Sequence, residues 1–293
     1  MSKSPSQRLS IVAVHGVGYH NRRLPADQVR AAQRTHWAQH LAKGMGLPPN
    51  HIDLDFAYYA EALSTGPTAQ GPVDVEELSD PLAKELLADW LGELGAPQPV
   101  ALGALTLPLR YAASWVAEKF SLDGRLTQLF VQLFFREVAE YLRADDSPAR
   151  VAARDEVATR IAQHHPRVVT AHSLGTVVAY EALHAHPDPG VELLLTLGSP
   201  LALPHAVFDR LLPRPVGSRS LRGARPASVG RWVNIADPGD PVAIPPRLAR
   251  AFTGIDLDLT TSIHEAFGFH HAKNYLVCAA TAATLGPYLG AYR

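Results

Sequence analysis

"RVVTAHSLGTVVAY", residues 167–180, is the stretch on which the reading of this chain turns. Its first half is a short β-branched run that suits a buried strand, and its continuation, "LGTVVAYEALHAH", carries apolar residues at helical spacing. Ser173 stands at the junction. In a parallel α/β sheet such a turn lies at the carboxyl edge of the strands, where ligands usually bind. A sharp strand-to-helix turn lifts its side chain clear of the sheet and crowds the residues two before and two after it, so both must be small. Here they are Ala171 and Gly175. Ser173 also falls near a helix N-terminus, whose dipole favours developing negative charge. The plainer reading of the same position is a serine that merely caps the helix.

Working outward, runs rich in Val, Ile and Leu at 9–14, 52–59, 168–171 and 193–197 read as buried parallel strands, with two more at 232–235 and 255–259. Helical patterns at 27–43, 149–164 and 176–186 alternate with them, which argues for a mostly parallel α/β sheet flanked by helices. Residues 60–167 are far longer than a crossover needs. The span 60–147 therefore reads as a helical insertion in a single domain covering 1–293, with helices expected at 76–93, 105–120 and 125–143. In the last, Leu126, Phe130, Leu133, Phe134, Val138 and Tyr141 share one face, widened by Leu129, Val131 and Phe135. That face is expected either to pack in the core or to cap an apolar cleft. The segment 209–231 holds six arginines and one acid among Pro, Gly and Ser, and reads as a solvated loop, with attraction of an anionic partner as the alternative.

A serine hydroxyl becomes a nucleophile when a base takes its proton and a carboxylate orients the base. On a fold of this kind the chain order is serine, acid, histidine. After the run "RWVNIA" stand Asp237 and Asp240, and after the last strand stand His264, His270 and His271. An oxyanion hole needs two backbone N–H groups: one from Leu174, after the serine, and one from the loop after the first strand. That loop reads "VHGVG", with Val17 as the expected donor and Gly16 and Gly18 permitting close approach.

Composition narrows the options. A net charge of -1 at 293 residues gives no field favouring nucleic acid or an anionic membrane. One cysteine, Cys278, excludes an intrachain disulfide and any multi-cysteine metal site. The paired histidines His164–His165 and His184/His186 lack an H-E-x-x-H helix or cysteine companions, so they read as surface residues. The N-terminal stretch carries no apolar signal pattern and no run is long enough to span a bilayer, so a cytoplasmic protein without a transmembrane segment is expected.

Taken together, "IVAVHGVG", "VVTAHSLGTVVAYEAL", "LLLTLGSPL", "VNIADPGDPVAIP" and "HHAKNYL" resemble the α/β-hydrolase superfamily, most closely its bacterial lipase and serine-esterase branches. The resemblance covers residues 8–59 and 166–290 and leaves the insertion and the arginine-rich loop unmatched. Ala171 is a mild departure from the usual glycine. The resemblance implies an α/β-hydrolase fold with a helical cap and a serine carboxylester hydrolase acting through an acyl-enzyme. Its catalytic residues would be Ser173, Asp240 and His270, and its oxyanion donors Val17 and Leu174. Asp240, followed by Val242, Pro245 and Pro246, fits the lipase pattern better than Asp237. His270, five residues before Tyr275 and Leu276, fits the esterase ending, with His271 the close competitor. His15 would anchor the oxyanion loop and His172 would be structural. The substrate would be a small-molecule or lipid ester; no metal, no organic cofactor and no nucleic acid is implied. An acyltransferase or thioesterase with the same triad, or a non-catalytic binding protein on this scaffold, are the alternatives.

Overall fold

Along each central strand the side chains alternate between two apolar layers, as period-two geometry requires. In strand β1 (Leu9–Val14), Leu9, Ile11 and Ala13 enter one layer while Val12 and Val14 enter the other. The computed structural model describes residues 8–64, 78–97, 109–187, 190–263 and 270–290. Within these, β1, β2 (Ile52–Ala57), β3 (Val168–His172), β4 (Leu193–Leu197), β6 (Arg231–Ala236) and β8 (Leu257–Thr260) form one sheet in the order β2-β1-β3-β4-β6-β8, with every pair parallel. A separate two-residue pairing joins β5 (Gly223–Ala224) to β7 (Phe252–Thr253).

Among the described residues eight helices cover the sheet. On one face lie α1 (Ala26–Met45), α7 (Ala272–Val277) and α8 (Ala279–Leu285), packing Val29, Trp37, Leu41, Leu276 and Leu285 against it. The other face carries α2 (Pro81–Glu93), α3 (Leu109–Phe120), α4 (Gly124–Leu142), α5 (Pro148–His164) and α6 (Leu174–Ala185). The insertion is therefore part of the core layer and not a separate body. Three helices of this face begin where side chains satisfy their first amides: Asp80 accepts from Leu82, Asp123 from Leu126 and Ser147 from Arg150. No described helix is long and apolar enough to cross a membrane.

Several boundaries differ from the periodicity, each for a local reason. β2 stops at Ala57, two residues before its apolar run ends, because the amides of Tyr58 and Tyr59 leave the ladder and donate to Glu156 Oε1 and His15 Nε2, each at 3.2 Å. Helix α6 starts at Leu174 because the Ser173 carbonyl already accepts from the Thr176 amide at 2.9 Å. On α4, Leu126 is 57% and Leu129 is 38% exposed, whereas Val131, Phe134, Phe135, Val138, Tyr141 and Leu142 are buried. In the N-terminal turns of α4 Leu126 and Leu129 face outward while Thr127 is buried, so the expected apolar stripe is buried only over the C-terminal two-thirds. The parts of the expected helices at 76–77 and 105–108, and His264, lie outside the described residues.

A buried ion pair ties α5, the helix that follows the insertion, to α6. The guanidinium of Arg150 on α5 donates through Nε to Glu181 Oε2 at 2.9 Å and through a terminal nitrogen to Oε1 at 2.5 Å. Tyr141 of α4 and the amide of Leu212 complete the shell of Glu181, at 2.7 and 3.0 Å. Buried charges persist when each is paired and its remaining hydrogen bonds are filled, and breaking such a pair from one side costs about 3–5 kcal/mol. The network holds α4, α5, α6 and the start of the arginine-rich segment at fixed positions. In that segment Arg210 pairs with Glu85, Arg214 with Asp145 and Arg225 with Asp256, each at 2.7 Å, and Arg222 donates to the carbonyls of Ala249 and Phe252. Much of its positive charge is spent inside the molecule.

Candidate active site

The register of β1 against β3 pairs Val14 with Ala171, which brings the loop after β1 beside the turn after β3. This is where the sheet order reverses, the usual place for a ligand crevice. Contact between the two turns is close. A Cβ at Gly16 would lie 2.5 Å from Ser173 Cβ, and one at Gly175 would lie 2.2 Å from the carbonyl oxygen of His15. Only hydrogen fits at either position.

Ser173 has φ 57 and ψ -134, a strained backbone for a residue with a Cβ. The turn is held by the serine amide donating to the Leu197 carbonyl at 3.1 Å and by the serine carbonyl accepting from Thr176 Oγ1 at 2.7 Å. This conformation aims Oγ at the imidazole of His270, whose Nε2 lies 2.7 Å away. His270 Nδ1 lies 2.7 Å from Asp240 Oδ2. Three residues from three loops thus form a continuous hydrogen-bonded line across 97 positions of sequence.

Asp240 is fully enclosed. Burial by itself would raise its carboxyl, but the facing His270, the Tyr275 hydroxyl at 2.7 Å on Oδ2 and the Val242 amide at 2.9 Å on Oδ1 hold it at about 2. It is ionised at neutral pH and accepts from three donors. Because a carboxylate only accepts, Nδ1 of His270 must carry the ring proton and Nε2 is left as the acceptor facing Ser173. The neighbouring candidates do other work. Asp237 closes the acid loop, with Oδ1 accepting from Gly239 at 2.8 Å and Oδ2 from Ile263 at 2.5 Å. His271 is exposed and stands at the start of α7, while His172 lies tilted against the His270 ring with centroids 4.6 Å apart.

The loop after β1 is organised by His15. Burial lowers its pKa to about 3, so the ring is neutral; Nε2 accepts from the Tyr59 amide, which leaves the proton on Nδ1 to donate to the Gly16 carbonyl at 2.6 Å. The ring is sandwiched between Tyr59 and Tyr19, at 4.1 and 4.6 Å, and the Tyr59 hydroxyl donates to the His15 carbonyl. The Gly16 carbonyl and the Val17 N–H belong to one rigid trans peptide and point opposite ways. Holding the carbonyl therefore aims the Val17 N–H. Leu174 supplies one of the first amides of α6, which have no acceptor inside the helix.

Insertion residues reach each of these loops. Trp90 of α2 donates its indole N–H to the Pro241 carbonyl at 2.6 Å, beside Asp240. Phe130 and Phe134 of α4 stand against the His270 ring at 5.5 and 6.5 Å. Glu137 of α4 accepts from the Gly18 amide at 3.1 Å. No local pattern in the sequence marks Tyr275 or Glu137 as a polar partner; the only trace of Glu137 is a carboxylate among the apolar residues of the α4 face.

The triad itself is closed, with Ser173 1% and His270 8% exposed; a small void of about 10 Å³ is lined by Asp237, Asp240, His270 and Tyr275 and not by Ser173. A larger cleft of about 640 Å³ lies elsewhere, between α2, the end of α4 and the segment 205–214. Its arginines Arg143, Arg210 and Arg214 are already paired with Asp80, Glu85 and Asp145, and no nucleophile–base pair lines it. The line Ser173, His270, Asp240 lies outside this cleft. Among the described residues no group of three His, Cys, Asp or Glu side chains is placed to hold a metal ion. Comparison of the chain with protein-family models, curated proteins and solved structures finds no match.

Proposed function

We propose that this protein is a serine carboxylester hydrolase with an α/β-hydrolase fold. The observation that carries the reading is the unbroken line Ser173 Oγ, His270 Nε2, His270 Nδ1, Asp240 Oδ2, with 2.7 Å at both hydrogen bonds. The sheet order, with the serine after β3, the acid after β6 and the histidine beyond β8, supports it. In this reading His270 takes the Ser173 proton as Oγ attacks an ester carbonyl. The oxyanion is received by the amides of Val17 and Leu174, and Asp240 stabilises the imidazolium. His270 then returns the proton to the leaving alcohol, and water releases the acyl group by the reverse sequence.

The exposed Leu126 and Leu129 continue along α4 to Phe130, which touches the His270 ring. Apolar surface leading to a nucleophile favours a substrate with an apolar acyl or alcohol part. The test is hydrolysis of p-nitrophenyl esters of graded chain length, with Ser173→Ala alongside. Turnover should fall by several orders of magnitude in the variant, and a fluorophosphonate should label wild-type Ser173. Undiminished hydrolysis by the alanine variant would end the proposal.

A further inference from the structure

Resting on that reading, we infer that Glu137, contributed by the insertion, is a positioning residue that sets the oxyanion hole by fixing the peptide on the far side of Val17. The peptide before Val17 is held through the Gly16 carbonyl by His15. The peptide after it is held through the Gly18 amide, whose acceptor is Glu137 Oε2 at 3.1 Å. Each peptide is a rigid plane, and one hydrogen bond leaves the first plane able to rock about its carbonyl; pinning the second plane, joined to it at the Val17 Cα, limits that rocking and so holds the direction of the Val17 N–H.

Gly18 needs an external hold. Its φ is +82, and a Cβ there would meet Leu133 Cδ2 at 2.9 Å, so α4 packs directly on this turn. Without a side chain, Gly18 has no local means of limiting its own conformation. Glu137 is otherwise a costly residue at its position. It is 2% exposed on a helix face that buries Phe134, Phe135, Val138 and Tyr141, and a buried carboxyl without a partner is strongly unfavourable. Burial pushes its carboxyl up to about 7, with Gly18 and Arg136 opposing the rise. Neutral or ionised, a carboxyl oxygen remains available to the Gly18 N–H. Glu137 touches neither Ser173 nor His270 in any described hydrogen bond, so its influence passes through the loop.

Three variants test this: E137A and E137M remove the acceptor, M keeping most of the volume, and E137Q keeps an amide oxygen in place. Turnover of p-nitrophenyl butyrate should fall at least tenfold in kcat for the first two, with KM within threefold of wild type. Inhibition by a trifluoromethyl ketone, whose hemiketal with Ser173 places an oxyanion in the hole, should weaken by a similar factor. E137Q should stay within threefold on both counts. Wild-type kcat and inhibition in folded E137A or E137M would overturn the inference while leaving the hydrolase reading intact, as would failure of both to fold, which would make the carboxylate a support of the fold alone. A wild type that neither hydrolyses the ester nor is labelled by a fluorophosphonate would overturn both.

Discussion

Replacing Asp240 with asparagine exchanges one carboxylate oxygen for an NH2 group and leaves the shape of the site intact. One amide oxygen can still accept from Val242, as Oδ1 does at 2.9 Å. The amide nitrogen must then occupy the place of Oδ2, which now accepts from both His270 Nδ1 and the Tyr275 hydroxyl at 2.7 Å. Tyr275 has little freedom to turn, because its oxygen accepts from the Asp237 amide at 3.1 Å. His270 relieves the clash by moving its proton to Nε2, which faces Ser173 and can then no longer act as a base. Where the wrong tautomer is imposed on a triad of this type, kcat falls by about 10⁴-fold. That corresponds to about 5 kcal/mol of transition-state stabilisation. Folding should suffer less. A carboxyl held at about 2 against an ordinary 3.8 stabilises the native state by about 2 kcal/mol above pH 3.8, a contribution lost as pH falls through 2. The assay is ester turnover at pH 7.5 beside urea unfolding, with Asp237→Asn as the control that leaves His270 untouched. A loss below tenfold in Asp240→Asn, or a larger loss in Asp237→Asn, would refute the assignment of the acid.

Two further outcomes follow from the contacts. Gly16→Ala places a Cβ 2.5 Å from Ser173 Cβ and 3.0 Å from its Oγ, so either the elbow or the oxyanion loop must shift. Overpacking of this kind costs about 1–3 kcal/mol, and ester turnover should drop by about 10²-fold; near wild-type melting and kcat would show that the two loops do not meet. Glu137 has the opposite sign from Asp240: its carboxyl is raised from 4.5 to about 7, so the native state holds its proton more tightly than the unfolded chain. The associated stability is fully present below pH 4.5 and is lost as pH rises through 7, about 3 kcal/mol in all. Urea unfolding should therefore show E137Q gaining on the wild type between pH 5 and pH 8, and a constant difference across that range would contradict the buried carboxyl.

The strand-turn-helix at Ser173 could be read from the chain because its signals are contiguous: a β-branched run, small residues at 171 and 175, and a helical pattern within fourteen positions. The alternation of strands and helices, and with it the α/β class, follows from the same short-range periodicities. The parallel sheet order, however, is set by which apolar faces meet, and Asp237 and Asp240 are alike in type, neighbourhood and burial. Only the path of the loop decides that Asp240 faces His270 while Asp237 turns back to the amides of Gly239 and Ile263. Glu137 reaches Gly18 across 119 residues and Trp90 reaches Pro241 across 151. No local pattern encodes such contacts, because they arise when the insertion helices pack on the sheet and bring distant polar groups into a space that water has left.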